Sequence, residues 1–530
     1  MSGLTAEESS PPASAEGTAE APWHRLDRRM LLIRPVLDGV KSLPLLIGAL
    51  LLGHGNHWQW AGLAVTAVSV LAGISHCLTS RYRVTATQVE WHTGLLLRKQ
   101  RAVPRDRIRT VDVVSEPKHR LFSLAAVRIG TGRHSHGPGP GRDELVFDAV
   151  GGAEAQRLRT LLLHRKPVDP SLADDADDAA EPPERLVAAV DKRWVRYAPF
   201  TLSGLAVVGA IVGTLYHFVH ELHLDPVRYG PLRELAERFA TAPAWLIVLS
   251  AAAGLLVVVS VLSVGGYVLS FWNFRLTREV GGTLHIRRGL VTTRSVSIEE
   301  ERLRGVEVEE PLPLRAVGGA KCVAVAAGLR EGKGADKGGG LLLPPAPIGR
   351  VHEVVADVLG EDFAAVPLVR HPRRALTRRM IRAVTGVLLP AAALFLAAWI
   401  DLLPSWPWQA ALALLPFAVL VGWDRYRTLG HALAGPYLVT RSGSLARTTE
   451  IVRRDGLTGL VVLRSLFQRR AGLITVIAPI AAGRGHYHVV DVGESDGLAL
   501  ADRAVPGLLS PFLIAEPVGG NQFPESGEAA

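Results

Sequence analysis

Residues 217–225 read HFVHELHLD and carry five potential metal ligands: His217, His220, Glu221, His223 and Asp225. Histidines at i, i+3 and i+6 could present two or three imidazoles to one metal. The plainer reading is a set of interfacial histidines at a helix end, and spacing this loose favours it. His54 and His57 form a turn pair, and His134 and His136 lie in a Gly/Pro-rich stretch. Gly328–Gly334, GLREGKG, looks at first like a phosphate loop. It is one residue short and no Ser or Thr follows the lysine, so it reads as a solvated loop. No Ser/His/Asp or Cys/His arrangement stands out. The expectation is a chain with no catalytic residue, no cofactor and no metal site.

The remaining candidate chemistry is cationic. Between Arg441 and Arg470 stand seven arginines (441, 447, 453, 454, 464, 469 and 470) against Glu450 and Asp455. Such a run is either a solvated face or a surface for anionic headgroups, where each basic residue contributes about 1 kcal/mol. Not all seven can point one way from a small β domain. The expected lipid-facing set is Arg441, Arg447, Arg453, Arg454, Arg469 and Arg470.

The elements that must position these residues are apolar helices alternating with small β units. Phe239–Phe274 lies between Arg238 and Arg275 and holds no Asp, Glu, Lys or Arg. About 20 apolar residues cross a bilayer's hydrocarbon core, so this run has length to spare. It empties at Phe274 into β-branched runs broken by glycine and charge, the pattern of strands. The same succession occurs three times. Apolar hairpins are expected over 36–78, 195–271 and 380–423. β units follow each of them over 81–165, 272–362 and 424–510, each ending in a helix. An acidic, proline-bearing linker is expected over 166–185, and disordered tails over 1–24 and 514–530.

Basic residues flank the outer ends of every hairpin: Arg81 and Arg83, Arg275, and Arg378, Arg379, Arg425 and Arg427. The turns at 53–60 and 401–408 hold none, and the loop at 220–239 has its three arginines interleaved with acids. The positive-inside rule then puts both termini and all three β units in the cytoplasm. Mean hydropathy of +0.22 and net charge of +9 fit a mixed membrane and soluble chain. Beside membrane spans, that charge is expected to face lipid rather than nucleic acid. Cys77 and Cys322 are too few for a disulfide framework or a cysteine zinc site.

The β units align without gaps on Ile108, Leu303 and Leu457. Fourteen residues earlier stand Gly94, Gly289 and Gly443, in GLLLR, GLVTTR and GSLAR. Twelve residues later stand Arg120, Arg315 and Arg469, expected in loops where they serve structure. A glycine before a strand suits a hairpin turn of positive φ. The third unit has Gly456 where the others have Arg107 and Arg302.

The strand starts Arg83-Val84-Thr85 and Arg275-Leu276-Thr277, the Gly-Leu turn, the Arg-Ile/Leu pair and the segment Arg120–Leu124 (RLFSL) resemble the bacterial PH-like membrane proteins of the YdbS/YdbT type. The resemblance covers most of the chain, because three such domains alternating with membrane hairpins is itself the YdbT-like layout. It implies a membrane α-helical plus α+β fold. Six spans in three hairpins would carry three cytoplasmic PH-like domains, each a bent β-sheet closed by a C-terminal helix. It implies no catalytic residues. The ionisable residues near the spans, among them Asp38, Lys41, Arg382, Asp401 and His217, lie near span ends, whereas transport sites place such groups inside the bilayer. The expectation is a non-catalytic cell-membrane scaffold or regulator, in an envelope-stress or antimicrobial-tolerance setting as the family resemblance hints. Its partners would be membrane lipids, other proteins or further copies of itself. A transporter and a lipid-modifying membrane enzyme are the rival readings.

Overall fold

The computed structural model describes residues 22–27, 29–30, 58–94, 98–108, 110–130, 144–163, 184–201, 203–221, 243–279, 281–327 and 340–507. The first expected span before Trp58, the acidic linker, the loop at 222–242, the insertion at 331–339 and most of both expected tails lie outside the described residues. The chain divides into two compact units.

In the first unit, helix α1 (Trp58–Thr79) runs almost directly into β2 (Arg81–Val84). β3 (Gln88–Thr93) and β4 (Lys99–Pro104) continue an antiparallel meander. A strand that precedes the membrane stretch, β1 (His24–Arg25), pairs with β2, His24 opposite Tyr82. His24 is therefore not part of a disordered tail. Pairing across the hairpin sequesters its backbone polar groups. Tyr82 also stacks on buried Phe147 of β7 (Glu144–Gly151), which pairs with β6 (Leu124–Gly130). Helix α2 (Pro117–Leu121) precedes β6, and α3 (Gly152–Leu163) buries Ala155, Leu158 and Leu162 at helical spacing.

The second unit holds β5 (Thr110–Ser115) and everything from β8 (Arg185–Ala189) onward. A 3-10 segment, Lys192–Thr201, precedes α4 (Ser203–Glu221), and α5 (Ala244–Phe271) follows. The second hairpin is expected to begin at about 195. Instead Trp194, Tyr197 and Ala198 are buried in the β core, and the straight helix starts only after Pro199. Proline lacks the N–H a continuous helix needs. The strands are β9 (Arg275–Glu279), β10 (Thr283–Arg288), β11 (Thr293–Glu299) and β12 (Leu303–Pro311). After α6 (Leu312–Ala316) come β13 (Gly319–Ala326) and β14 (Leu341–Pro347). Helix α7 (Ile348–Leu359) closes them, burying Val351, Val354, Val355 and Val358.

The last repeat begins with α8 (Arg373–Trp399), α9 (Trp406–Ala413) and α10 (Leu415–Arg427). Its strands are β15 (Gly430–Ala434), β16 (Tyr437–Ser442), β17 (Ala446–Arg453) and β18 (Val461–Leu463). Helix α11 (Leu466–Ala471), β19 (Leu473–Pro479), β20 (His486–Gly493) and α12 (Glu494–Ala504) complete it. Among the described residues three helical stretches are long and apolar enough to cross a membrane: Trp245–Phe271, Arg373–Trp399 and Trp406–Arg427.

The chain before each apolar stretch pairs through its backbone with the chain after it. β8 pairs with β9 as β1 does with β2, and Val369 bridges His431 of β15. The chain beyond the acidic linker is thus an edge strand.

The sheets are shared between repeats, which corrects the expectation of three separately closed sheets. A 3-10 turn follows the third strand of every repeat, at Arg105–Arg107, Glu300–Arg302 and Arg454–Gly456. It redirects the chain, so β11 and β12 do not pair with each other. β11 pairs instead with β5 of the preceding repeat, and β12 with β17 of the following one. Ser297 faces Val111, and their aligned equivalents Ile451 and Val306 face each other. The two junctions have the same register.

Gly94, Gly289 and Gly443 have φ of 104°, 107° and 96°. Gly305 is the tight point of the second junction: a Cβ there would stand 2.0 Å from the Ile451 carbonyl oxygen. Gly305→Ala is expected to push β12 off β17 and cost roughly 2 kcal/mol or more. A lowered melting temperature of the purified protein, with new protease cleavage near β17, is the measurement; an unchanged melt would refute it.

Candidate functional site

A buried polar constellation of the second unit lies where the third repeat meets the charged end of its helical hairpin. Helices α8 and α10 run past the apolar stretch, so Arg378 and Arg379 of α8 and Asp424 of α10 are carried to the β strands. Asp491, fully buried on β20 with φ of 60°, receives Arg379 Nε and Nη2, each at 2.8 Å. Arg378 Nη1 also donates to it, and Gln468 Nε2 donates at 3.0 Å. Gln468 is held in turn by a capping box with Ser465 at the start of α11. One carboxylate thus takes hydrogen bonds from two arginines and an amide. That satisfies a charge that would otherwise be costly to bury.

Beside it, His371 Nδ1 donates to the Asp491 carbonyl at 3.1 Å. Its Nε2 must then accept, and His431 Nδ1 donates to it at 3.1 Å. Burial, and then the neighbouring His371, hold the His431 pKa down at about 4. Burial lowers that of His371 as well. A histidine that stays neutral in the fold but gains a proton when unfolded makes stability fall as pH drops from about 6.5 toward about 4. For His431 the full loss is about 3 kcal/mol. The double substitution His371→Asn, His431→Leu is expected to remove this contribution, so that melts at pH 5 and pH 7 shift relative to the parent in favour of pH 5. An unchanged difference between the two pH values would remove the pair as its cause.

Asp424 accepts from Arg315 Nη2 of α6 at 3.0 Å, and Tyr267 of α5 donates to the Pro345 carbonyl of β14 at 3.0 Å. Arg120, Arg315 and Arg469 all fall on one-turn helices (α2, α6 and α11) rather than in open loops. Arg315 reaches a carboxylate on the hairpin, while Arg469 is exposed.

The structure distributes the arginines of the third repeat over several surroundings. Arg447 pairs with Glu310 across the shared sheet, and Arg441 Nε donates to Thr449 Oγ1 at 3.2 Å. These two line a cavity of about 100 Å³ with Glu310 and His352. Arg453 pairs with Asp455 at 2.6 Å, Arg454 donates to the Ala504 carbonyl at 2.8 Å, and Arg464 pairs with Glu494 at 2.6 Å. Arg469 and Arg470 remain exposed on α11, next to Leu466 and Phe467, which are 74% and 73% exposed. The following residues, Ala471 and Leu473, pack on Ala375, Tyr426 and Leu429 at the charged end of the hairpin. Two apolar side chains and two cations therefore project together from the level where the helices change from apolar to charged. His217 lies in the last turns of α4, and His223 and Asp225 of the same loop lie outside the described residues.

Residues 38–166 match the family model for the bacterial PH domain, bPH_2. Over 433 residues the chain is 23% identical to the transmembrane protein YdbT of Bacillus subtilis (strain 168), covering 78% of this chain and 83% of YdbT. The chain is thus similar to YdbT over most of its length, and its residues 38–166 are similar to the bacterial PH domain. No solved structure matches the chain. The matched segment ends with the closing helix α3, and α7 and α12 end the later repeats in the same way. Sequence reading missed Asp491, Gln468, Asp424 and the paired histidines. The available signal was two adjacent arginines, Arg378 and Arg379, one turn inside a membrane helix, where bare charge needs a partner.

Proposed function

We propose that this protein is a non-catalytic membrane scaffold or regulator that holds its PH-like repeats in fixed attitudes at the cytoplasmic face of the cell membrane. The observation that carries the reading is the clamp on Asp491. Together with Arg315–Asp424 and the stapled hairpin ends it makes each described β unit of the second unit continuous with its helices. A transport path would put ionisable groups inside the bilayer, and here the strongly engaged ones sit at the helix ends, where they fasten domains. The tip formed by Leu466, Phe467, Arg469 and Arg470 suits the headgroup layer, where apolar side chains enter and cations meet phosphate. An envelope-stress or antimicrobial-tolerance setting is part of the same proposal.

The test is reconstitution of the full chain in vesicles. A fragment starting at Thr428 would lose β12, one of the two partners of β17. Quenching by bromine-labelled lipid of a tryptophan placed at Phe467 should be strong with anionic vesicles and weaken when Arg469 and Arg470 become Glu. Ion flux or lipid turnover by the purified protein would replace the scaffold reading with a transporter or an enzyme. Cysteine at Ser405 should label from outside intact cells, and cysteine at Gly318 should not. The reverse pattern would overturn the orientation.

A further inference from the structure

Strands β4, β11 and β17 are equivalents in the three repeats, and so are β5, β12 and β18. Both internal junctions join one strand of each set: β11 to β5, and β17 to β12. Among the described residues, β4 and β18 are the two members left at the ends of their sheets. From this we propose that β18 of one copy pairs antiparallel with β4 of a second copy, repeating the internal junction between chains.

The shared register fixes the contacts. Ser297 facing Val111, and Ile451 facing Val306, translate to Ala102 facing Leu460. Gln100 then faces Val462, and Arg101 faces Val461. The side chains of β18 fit such cover. At the equivalent of Val461, β12 carries Glu307, which is only 6% exposed where β17 pairs alongside and Arg484 and Tyr487 bond to its carboxylate. Val461 and Leu463 are apolar yet 45% and 51% exposed. Gly459, the equivalent of Gly305, keeps open space where Gly305 meets the next repeat's backbone. The opposing feature is that β4 carries Lys99, Arg101 and Pro104, residue types that blunt a sheet edge. The register also sets Arg98 opposite Arg464, a like-charge pair offset by Glu494 at 2.6 Å from Arg464. A head-to-tail contact of this kind builds a ring or a row of copies, and anchoring in one membrane favours it by raising the local concentration.

The test uses the full chain in membranes, with Cys77→Ala as background. Two differently tagged copies, one with Val462→Cys and one with Gln100→Cys, are co-expressed and oxidised. A disulfide-linked species carrying both tags is expected, and a one-residue slip, Val461→Cys with Gln100→Cys, should yield roughly tenfold less because the side chains leave opposite faces. Val461→Lys with Leu463→Lys should lower the cross-link roughly tenfold, and Arg98→Glu should raise it. No two-tag species, equal yield in the slipped pair, or a disulfide formed only within one chain when both cysteines are placed together would overturn the proposal.

Discussion

Replacing Asp491 with Asn will loosen the third repeat from its hairpin while leaving the backbone shape intact. Asn tolerates the left-handed conformation that Asp491 adopts at φ of 60°. It cannot, however, neutralise Arg378 and Arg379, whose guanidinium groups are largely covered at this point. Removing one partner of a buried ion pair leaves an uncompensated charge and costs about 3–5 kcal/mol. The amide also places a donor where Gln468 and Arg379 already donate, so at least one hydrogen bond is lost outright. The expected result in detergent is a much lower melting temperature and early proteolysis between α10 and β15. Pairing Asp491→Leu with Arg379→Leu should recover part of the loss, since apolar side chains of suitable volume can replace a buried pair. If Asp491→Asn melts like the parent, the clamp is dispensable and the rigid-attachment reading falls with it.

The second large effect is expected at the shared sheet. Glu307 and Glu450 face each other across β12 and β17, both buried. Arg484 spans them, at 2.8 Å from Glu307 and 2.7 Å from Glu450, and Tyr487 Oη donates to Glu307 at 2.9 Å. Burial holds the Glu450 pKa up at about 7, with Arg484 pulling it down and Glu307 pushing it further up. A carboxylate that holds its proton more tightly folded than unfolded favours the fold at low pH. That contribution is lost as pH rises from about 4.5 to about 7. Arg484→Met removes the one cation between two carboxylates. The loss should therefore be about 3 kcal/mol at pH 8 and clearly smaller at pH 5, where the proton takes over part of the arginine's role. Arg484 is partly exposed, and solvent screening limits the effect. Equal losses at the two pH values would refute the assignment. This window overlaps that of His431 with the opposite sign, so in the parent protein the two slopes should largely offset each other between about pH 4.5 and pH 6.5.

Much of the repeat was legible in sequence because it is written locally. The glycine turns, the strand alternation and the closing helices follow from φ preference and period, and the gap-free alignment places the 3-10 turns of all three repeats in register. The sharing of sheets was not legible. Val306 and Val308 alternate the same way whether β12 pairs within its own repeat or with β17, since period reports the face and not the neighbour. The clamp was hidden for a related reason. Asp491 and Gln468 look like ordinary surface polar residues, and only the fold shows that they are enclosed by Arg378 and Arg379. Conversely, the clustered arginines in sequence diverge in space, because strands β16 and β17 send Arg441 and Arg447 toward Glu310 while α11 turns Arg469 and Arg470 outward.

The interlocked strands impose an order on biosynthesis. β12 ends at Pro311 and its partner β17 begins at Ala446, beyond the whole third hairpin. Translation at about 5–20 residues per second leaves that edge bare for about 7–27 s. The second sheet can be completed only after α8 and α10 have been made, so a stall in this stretch would expose an open strand to neighbouring nascent chains. A mutation that slows entry of the third hairpin, such as a charge placed in the middle of α8, should therefore be detected first as aggregation of the second repeat, far from the altered residue.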